Sequence, residues 1–432
     1  MNYRRALFTS VGCLAIGLGL ARAEEQQSLT LHEAQDIALR NHPRISEADL
    51  QALASKQVIT QVRAGLLPNV MFDATAVGNG GDNTRIAAGG LNNPVIYERE
   101  ANGVMVSQLL TDFGRTQHLL NGSRLSSRAA TANTEATREE ILMDVDVAFY
   151  TALKAQSVLD VARQTVVTRK FLLDQITALT TNKLRSELDL RFADVTYQEG
   201  KLLVAQAETD LAQSYNALTT LLGEREHRVY HLIGEPGPAP KTVDSSGLVD
   251  TALSQRPDLV RLRLERDAAE QYVRAQKALN YPTVSAFGAG GLTPIRDAAH
   301  LEARYAAAGV NFSLPVFDAG LNAAKASEAE FRAKAAAESL RDAENTVIQN
   351  VRDAGLNVNY AYERLDLTLK LFENAKEALD LAQARYQFGS SSIVELSQAQ
   401  LNETSAEIAN TSAKYDYEIQ RAILDYQIGA IR

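Results

Sequence analysis

The sequence predicts a mostly α-helical protein with two pairs of amphipathic β-strands, built from two copies of one helix–strand–strand–long helix–helix unit. Three observations predict it. Pro43 and Pro68 recur 214 positions later as Pro257 and Pro282, and Asp112, Gly114, Ser186 and Gly223 recur 206 positions later as Asp318, Gly320, Ser392 and Gly429. A spacing that stays constant from Asp112 to Gly223 marks an internal duplication. Proline is absent from Val95 to Glu235 and from Val316 to the end, which leaves room for helices of unusual length. Ahead of each such stretch lie two short segments in which apolar and polar residues alternate with a period of two.

The elements follow in order. Residues 1–23 read as a signal peptide: Arg4 and Arg5, an apolar stretch from Ala6 to Leu20, and a small-x-small site at Ala21-Arg22-Ala23. That stretch is shorter than the roughly 20 residues a membrane helix needs. The single cysteine, Cys13, lies inside it. Ser10-Val11-Gly12-Cys13 loosely resembles a lipoprotein box, but most of the apolar run follows it, so cleavage after Ala23 is expected. The mature chain then has no disulfide framework or thiolate metal site. Its net charge moves from −9 to −12 with the loss of Arg4, Arg5 and Arg22. So acidic a chain has no electrostatic footprint for nucleic acid.

The first repeat spans 24–223. Thr30 and Glu33 form a capping box, so a helix starts near Leu31 and runs to a stop before Pro68. Strands are expected at about 67–77 and 101–112, with Val70, Phe72 and Ala74 on one face of the first and Asn69, Asp73 and Thr75 on the other. A long helix follows at about 115–182, interrupted by one glycine, Gly122, and at 1.5 Å per residue it is about 100 Å long. A turn at Asn182 to Leu188 leads to a shorter helix at about 187–222. There Val204, Ala207, Leu211, Tyr215, Leu218 and Leu222 recur at gaps of three and four.

A linker at 224–247 carries Pro236, Pro238 and Pro240. The second repeat, 248–432, repeats the order. Its strands fall at about 281–289 and 303–316, its long helix at about 320–388 and its shorter helix at about 392–428. In the last, Leu401, Ile408, Tyr415 and Ala422 sit seven apart, a coiled-coil-like seam. Aromatic residues are only 6% and tryptophan is absent, so these helices must pack through small side chains.

Beyond the leader no stretch approaches a continuous apolar 18-mer, so any membrane crossing must be a β-barrel. Four strands cannot close one, since membrane barrels start at eight. Strands must be pooled between subunits, eight from two chains or twelve from three.

Several motifs resemble the TolC outer-membrane efflux family: Thr30-Leu31-x-Glu33-Ala34 leading to Asn41-x-Pro43; Arg256-Pro257-Asp258-Leu259; Leu67-Pro68 and Tyr281-Pro282; Asp112-Phe113-Gly114-Arg115 and Phe317-Asp318-Ala319-Gly320; and Phe388-Gly389 before Val394-Glu395-Leu396. They occur in order in both copies and cover nearly all of the mature chain. The resemblance implies a homotrimer in the outer membrane, with a 12-stranded β-barrel continued by a 12-helix α-barrel across the periplasm. It implies the exit duct of a tripartite efflux pump or type I secretion system, whose partners are a periplasmic adaptor and an inner-membrane RND or ABC transporter. It implies the barrel-to-helix transition at Asp112, Gly114, Asp318 and Gly320, the linker as a belt around the waist, and no cofactor.

It also implies that the long-to-short helix turns form a periplasmic tip. Arg185, Ser186, Gly389, Ser390 and Ser391 would contact the adaptor, and Glu395, Asp189 and Gln398 would lie at the gate. Two positions depart from the family: Gln398 replaces a second acid, and Ser391 stands where a basic partner of Asp189 would fall. Read without the resemblance, Glu395 and Asp189 are solvated acids at helix starts, favoured by the helix dipole.

Other chemistry is sparse. His227 and His231 are four apart but follow the helix end at Gly223, His32-Glu33 lacks a second histidine, and no phosphate loop or nucleophile elbow appears. Tyr97, Tyr281 and Tyr305 suit either a membrane interface or ordinary strand packing. The rival reading is a pore-free periplasmic coiled-coil adaptor, against which stand the two helical copies and two strand pairs.

Overall fold

The computed structural model describes residues 28–77, 99–224, 230–234, 240–244, 247–293 and 304–431. The expected signal segment with Cys13, and also Tyr97 and His227, lie outside these residues. The order of elements is β1 (Ser28–Leu29), α1 (Leu31–Asn41), α2 (Pro43–Ala64), β2 (Asn69–Val77), β3 (Arg99–Thr111), α3 (Arg115–Thr181), α4 (Glu187–Leu221), β4 (His231–Leu232), α5 (Leu248–Gln255), α6 (Pro257–Lys277), β5 (Thr283–Leu292), β6 (Arg304–Ser313), α7 (Leu321–Gln387) and α8 (Ile393–Gln427).

Thr30 caps α1 as expected: its hydroxyl accepts from Glu33 N–H, and the Glu33 carboxylate accepts from Thr30 N–H at 2.9 Å. The single helix expected from Leu31 to Pro68 is instead two, and the reason is Pro43. A proline lacks the N–H of the helical ladder and forces the residue before it into extended geometry. His42 accordingly has φ −68° and ψ 122°, and its Nδ1 accepts from Arg44 N–H. Arg256 before Pro257 takes the same conformation, so α5 and α6 are split as α1 and α2 are.

α3 and α7, of 67 residues each, are the continuous spines. Near the strands, α3 is flanked by α2 and α6, and α6 by α7. Ser55 Oγ donates to Ser127 Oγ, His118 meets Gln271 at 3.0 Å, and Lys277 pairs with Glu330 at 2.7 Å. In the other half α3 lies between α4 and α8, and α8 packs on α7. There Asp416 of α8 accepts from Lys154 of α3 at 2.9 Å and from Arg364 of α7 at 2.8 Å, tying three helices at one point. Each half is thus a layer of four helices, α2-α3-α6-α7 and then α4-α3-α8-α7.

Between the halves the short elements gather. Parallel β1 and β4, with α1, cover α3 and the end of α4 through Leu29, Ile141, Val145, Phe149, Leu218, Leu222 and Leu232. On the second copy, α5 and the start of α6 cover α7 through Ala252, Leu259, Leu340, Val347 and Val351. No described helix is long and apolar enough to cross a membrane.

The seam read in the last helix needs correction. Ala422 is buried as expected, but Leu401 of α8 is exposed, and Ile408 and Tyr415 are half-covered. The buried line is Leu396, Gln400, Thr404, Asn410, Ala413 and Tyr417. Held between α3 and α7, the helix buries Ile393, Leu396, Tyr417 and Leu424 together with the short side chains of Thr404, Ala406 and Ala413, so its buried face is wider than one heptad seam.

Asp146 of α3 is buried in the waist and accepts a 2.6 Å hydrogen bond from Gln35 of α1. Burial pushes its carboxyl up to about 6, with Asp425 adding to the rise and Gln35 and Arg421 opposing it. A raised acid binds its proton more tightly in the folded chain. Its contribution to stability is therefore complete below about pH 4 and is lost as pH rises through 6. Asp146→Asn is expected to stabilise the purified protein by up to about 3 kcal/mol at pH 8 and to be nearly neutral at pH 4. Thermal unfolding at the two pH values checks this, and equal shifts at both would refute it.

Candidate functional site: an amphipathic sheet and a helical tip

The strands form one antiparallel sheet in the order β2-β3-β5-β6. Register places Val70 opposite Val106, Phe72 opposite Val104, Val106 opposite Gly288, Ala286 opposite Val310 and Val284 opposite Phe312. These residues share one face, and it is exposed: Phe72 is 69% accessible, Val310 64% and Phe312 63%. The opposite face carries Asn69, Asp73, Ser107, Ser285, Asn311 and Ser313, with Met71, Met105 and Phe287 among them. On that face Tyr305 lies flat across two strands, where a Cβ on Gly103 or Gly291 would collide with its hydroxyl. Tyr305 is thus a strand-packing residue. Among the described residues, β2 and β6 have no partner on their outer edges.

Both second strands turn into the spines by the same device. Phe113 and Gly114 have φ 52° and 93°, and Ala319 and Gly320 have φ 50° and 85°. Two successive left-handed residues swing the chain from strand to helix. Asp112 then accepts from Thr116 N–H at 2.7 Å, and Asp318 from Asn322 N–H at 2.9 Å. A carboxylate here both satisfies a free N–H of the first turn and complements the helix dipole.

At the far end, α3 turns into α4 and α7 into α8. Gly389 has φ 72°, and Lys183 holds the same place in the first copy with φ 57°. Leu184 N–H donates to Leu179 O at 2.9 Å and Ser390 N–H to Arg385 O at 2.8 Å, so the two turns are alike. Both turns were expected from the sequence, but only Gly389 marked its left-handed position, because lysine there leaves no signature. Ser186 and Ser392 cap α4 and α8, which places Asp189 and Glu395 at the same third position.

The two acids then diverge. Asp189 folds back onto Ser186 N–H at 3.3 Å, completing a capping box. Glu395 reaches Arg385 at 2.9 Å. Arg385 corresponds to Leu179 in the first copy, so only Glu395 finds a cation there. Gln398 is exposed and donates to Asn402 at 2.9 Å. Arg185 donates to Tyr386 O at 2.7 Å with its guanidinium 4.2 Å from the Tyr386 ring, stapling one turn to the other. It stands at the repeat-equivalent of Ser391, whose Oγ is buried without a partner. Burial pushes the Tyr386 hydroxyl up, reinforced by Asp189 and opposed by Arg185. Beneath the turns, Leu172, Ile176, Tyr386, Ile393 and Leu396 form a common core. Arg385 and Tyr386 were not singled out in the sequence. They end a helix whose charge pattern is ordinary, and the fold alone brings them to these partners.

Comparison with known proteins agrees with this architecture. The outer membrane protein TolC of Vibrio cholerae serotype O1 is 24% identical over 408 residues, covering 93% of this chain and 91% of that protein. The outer membrane protein OprJ of Pseudomonas aeruginosa is 26% identical over 83% of this chain and 75% of its own. Among solved structures, the outer-membrane channel OprN superposes with a TM-score of 0.81 at 23% identity, over 93% of this chain and 90% of that one. Residues 35–224 and 248–430 match the family described as outer membrane efflux protein, one segment per repeat, and the chain belongs to that family.

Proposed function

We infer that the protein is an outer-membrane exit duct, and that three copies close around one pore. The observation that carries this reading is the sheet. It has an exposed apolar face, a polar face and two unpaired edges, and it runs without a break into helices about 100 Å long. Strand directions alternate across it, so β6 of one copy can pair antiparallel with β2 of the next, and three copies close twelve strands with no edge left in lipid.

The helices support the same closure. Along the free edge of α7, Leu356, Tyr360, Leu367 and Leu371 are 67%, 66%, 64% and 55% exposed at gaps of four, seven and four. At the opposite edge, Leu188, Val195 and Leu202 of α4 are 63%, 53% and 72% exposed, seven apart. Two heptad stripes at opposite edges suit a head-to-tail ring.

In this reading the duct is passive and serves a tripartite efflux pump or type I secretion system. The turn residues Arg185, Ser186, Gly389, Ser390 and Ser391 meet a periplasmic adaptor, behind which stands an inner-membrane RND or ABC transporter. Asp189, Gln398 and the Glu395–Arg385 pair surround the periplasmic aperture. Removing the Glu395 carboxylate frees Arg385, so Glu395→Ala is expected to shift ion selectivity several-fold, on the order of that produced by other charged rings, toward anions. Single-channel recording of the purified protein in planar bilayers tests both claims. Conductance with unchanged selectivity keeps the duct and moves the constriction elsewhere. Soluble monomers that never conduct would overturn the duct.

A further inference from the structure

We propose that the groove between α6 and α7, just below the sheet, is a binding site for organic anions with a flat apolar body, such as aromatic carboxylates or sulfonates. The proposal rests on the duct reading, which places the groove on the tunnel wall.

The groove has a volume of about 560 Å³ and is lined by Arg115 at the start of α3, Tyr272 and Gln276 of α6, and Lys325, Glu328 and Arg332 of α7, with Leu279 at its end. Three cations face one carboxylate in a chain whose net charge is −9. Glu328 is already committed to Arg332 at 2.6 Å. Lys325 makes no ion pair among the described residues, and the Nε of Arg115 is buried without a hydrogen-bond partner. A buried, unsatisfied guanidinium nitrogen is costly, and an anion in the groove is the group that would satisfy it.

The apolar part of the site is equally built. The Tyr272 ring forms one wall, and it reaches that position because α3 has glycine opposite it: a Cβ on Gly122 would meet the ring at 3.3 Å. Gly122 is the single glycine in the 67 residues of α3. Tyr272 and Leu279 offer surface for a planar body, while Arg115, Lys325 and Arg332 take its charge.

The groove opens toward the tunnel. Glu330 and Glu344 of α7 share one stripe, two heptads apart, and meet Lys277 and Arg263 of α6. Arg263 also donates to Leu253 O of α5 at 2.7 Å, so this stripe is the one covered by the belt of short elements. Lys325 and Arg332, seven apart, lie on the other flank. With the belt outside the ring, the groove faces the lumen just before the barrel. An anionic cargo leaving the tunnel would dwell there.

The test uses the full-length protein in nanodiscs of zwitterionic phosphatidylcholine, titrated against fluorescein and followed by fluorescence anisotropy. Lys325 and Arg332 are exposed, so Lys325→Gln with Arg332→Gln is compatible with folding. Saturable fluorescein binding that weakens about tenfold or more in the double variant is expected, with cationic rhodamine 6G not bound. Absence of saturable binding, or equal binding by the variant, would overturn the site. Loss of fluorescein binding on adding phosphatidylglycerol to the discs would assign the groove to lipid headgroups and overturn the soluble-anion proposal. Conductance of the same preparation separates the two readings: a conducting channel that binds no fluorescein fails only here.

Discussion

Replacing Phe72 and Val310 together with arginine is expected to keep the chain out of the outer membrane. Both lie on the apolar face of the sheet, on its two edge strands, and both are largely exposed in the protomer. Arginine on the lipid face of a membrane barrel costs about 2–4 kcal/mol near the midplane. Two substitutions in each of three chains multiply that cost sixfold, more than a closing barrel can absorb. Thr75→Arg with Asn311→Arg is the control: it adds the same two charges per chain on the same two edge strands, on the opposite face, and should be tolerated. Membrane fractionation and the yield of trimers decide it. Insertion of the double variant at wild-type level, or equal failure of Thr75→Arg with Asn311→Arg, would show that the two faces are not lipid and lumen.

Phe149→Ala should be the most destabilising single truncation in the helical part, by about 3–5 kcal/mol. Phe149 is fully buried where α1, α3, α4 and the β1–β4 pair converge, among Ile141, Val145, Leu218 and Leu222. It also meets the Tyr150 ring edge-on at 5.9 Å. At the waist short elements, rather than parallel helices, hold the layer together, so a cavity there cannot be closed by sliding one helix along another. Denaturant unfolding of the purified protein measures the loss. A cost below about 1 kcal/mol would mean that this core is not packed as described.

Much of the architecture was legible in the sequence because its determinants are local. Without proline a helix can continue for 67 residues, and α3 and α7 begin at Arg115 and Leu321 and end at Thr181 and Gln387. Period-two alternation placed Val70 and Phe72 on one face and Asn69 and Asp73 on the other, since a strand has no other geometry in which to put them. The Asp-x-Gly pairs marked the strand-to-helix turns because a left-handed backbone favours glycine and a helix start favours a carboxylate. The family motifs rest on the same local features.

What the tertiary structure alone decided depends on neighbours. Asp189 and Glu395 occupy equivalent positions, yet one is held in its own cap and the other pairs with Arg385, because the first copy has Leu179 where the second has a base. The buried face of α8 includes the polar Gln400, Thr404 and Asn410 beside Leu396, Ala413, Tyr417 and Leu424, since burial also depends on how closely α3 and α7 approach and not only on the helix's own hydrophobic pattern. Arg115, Tyr272 and Lys325 come from three helices far apart in the chain, and only packing makes them one groove. Periodicity and turn chemistry are properties of a segment and can be read from it. A charge's partner, a carboxyl's proton affinity and a groove's lining are properties of the space between segments, and they exist only once the chain has folded.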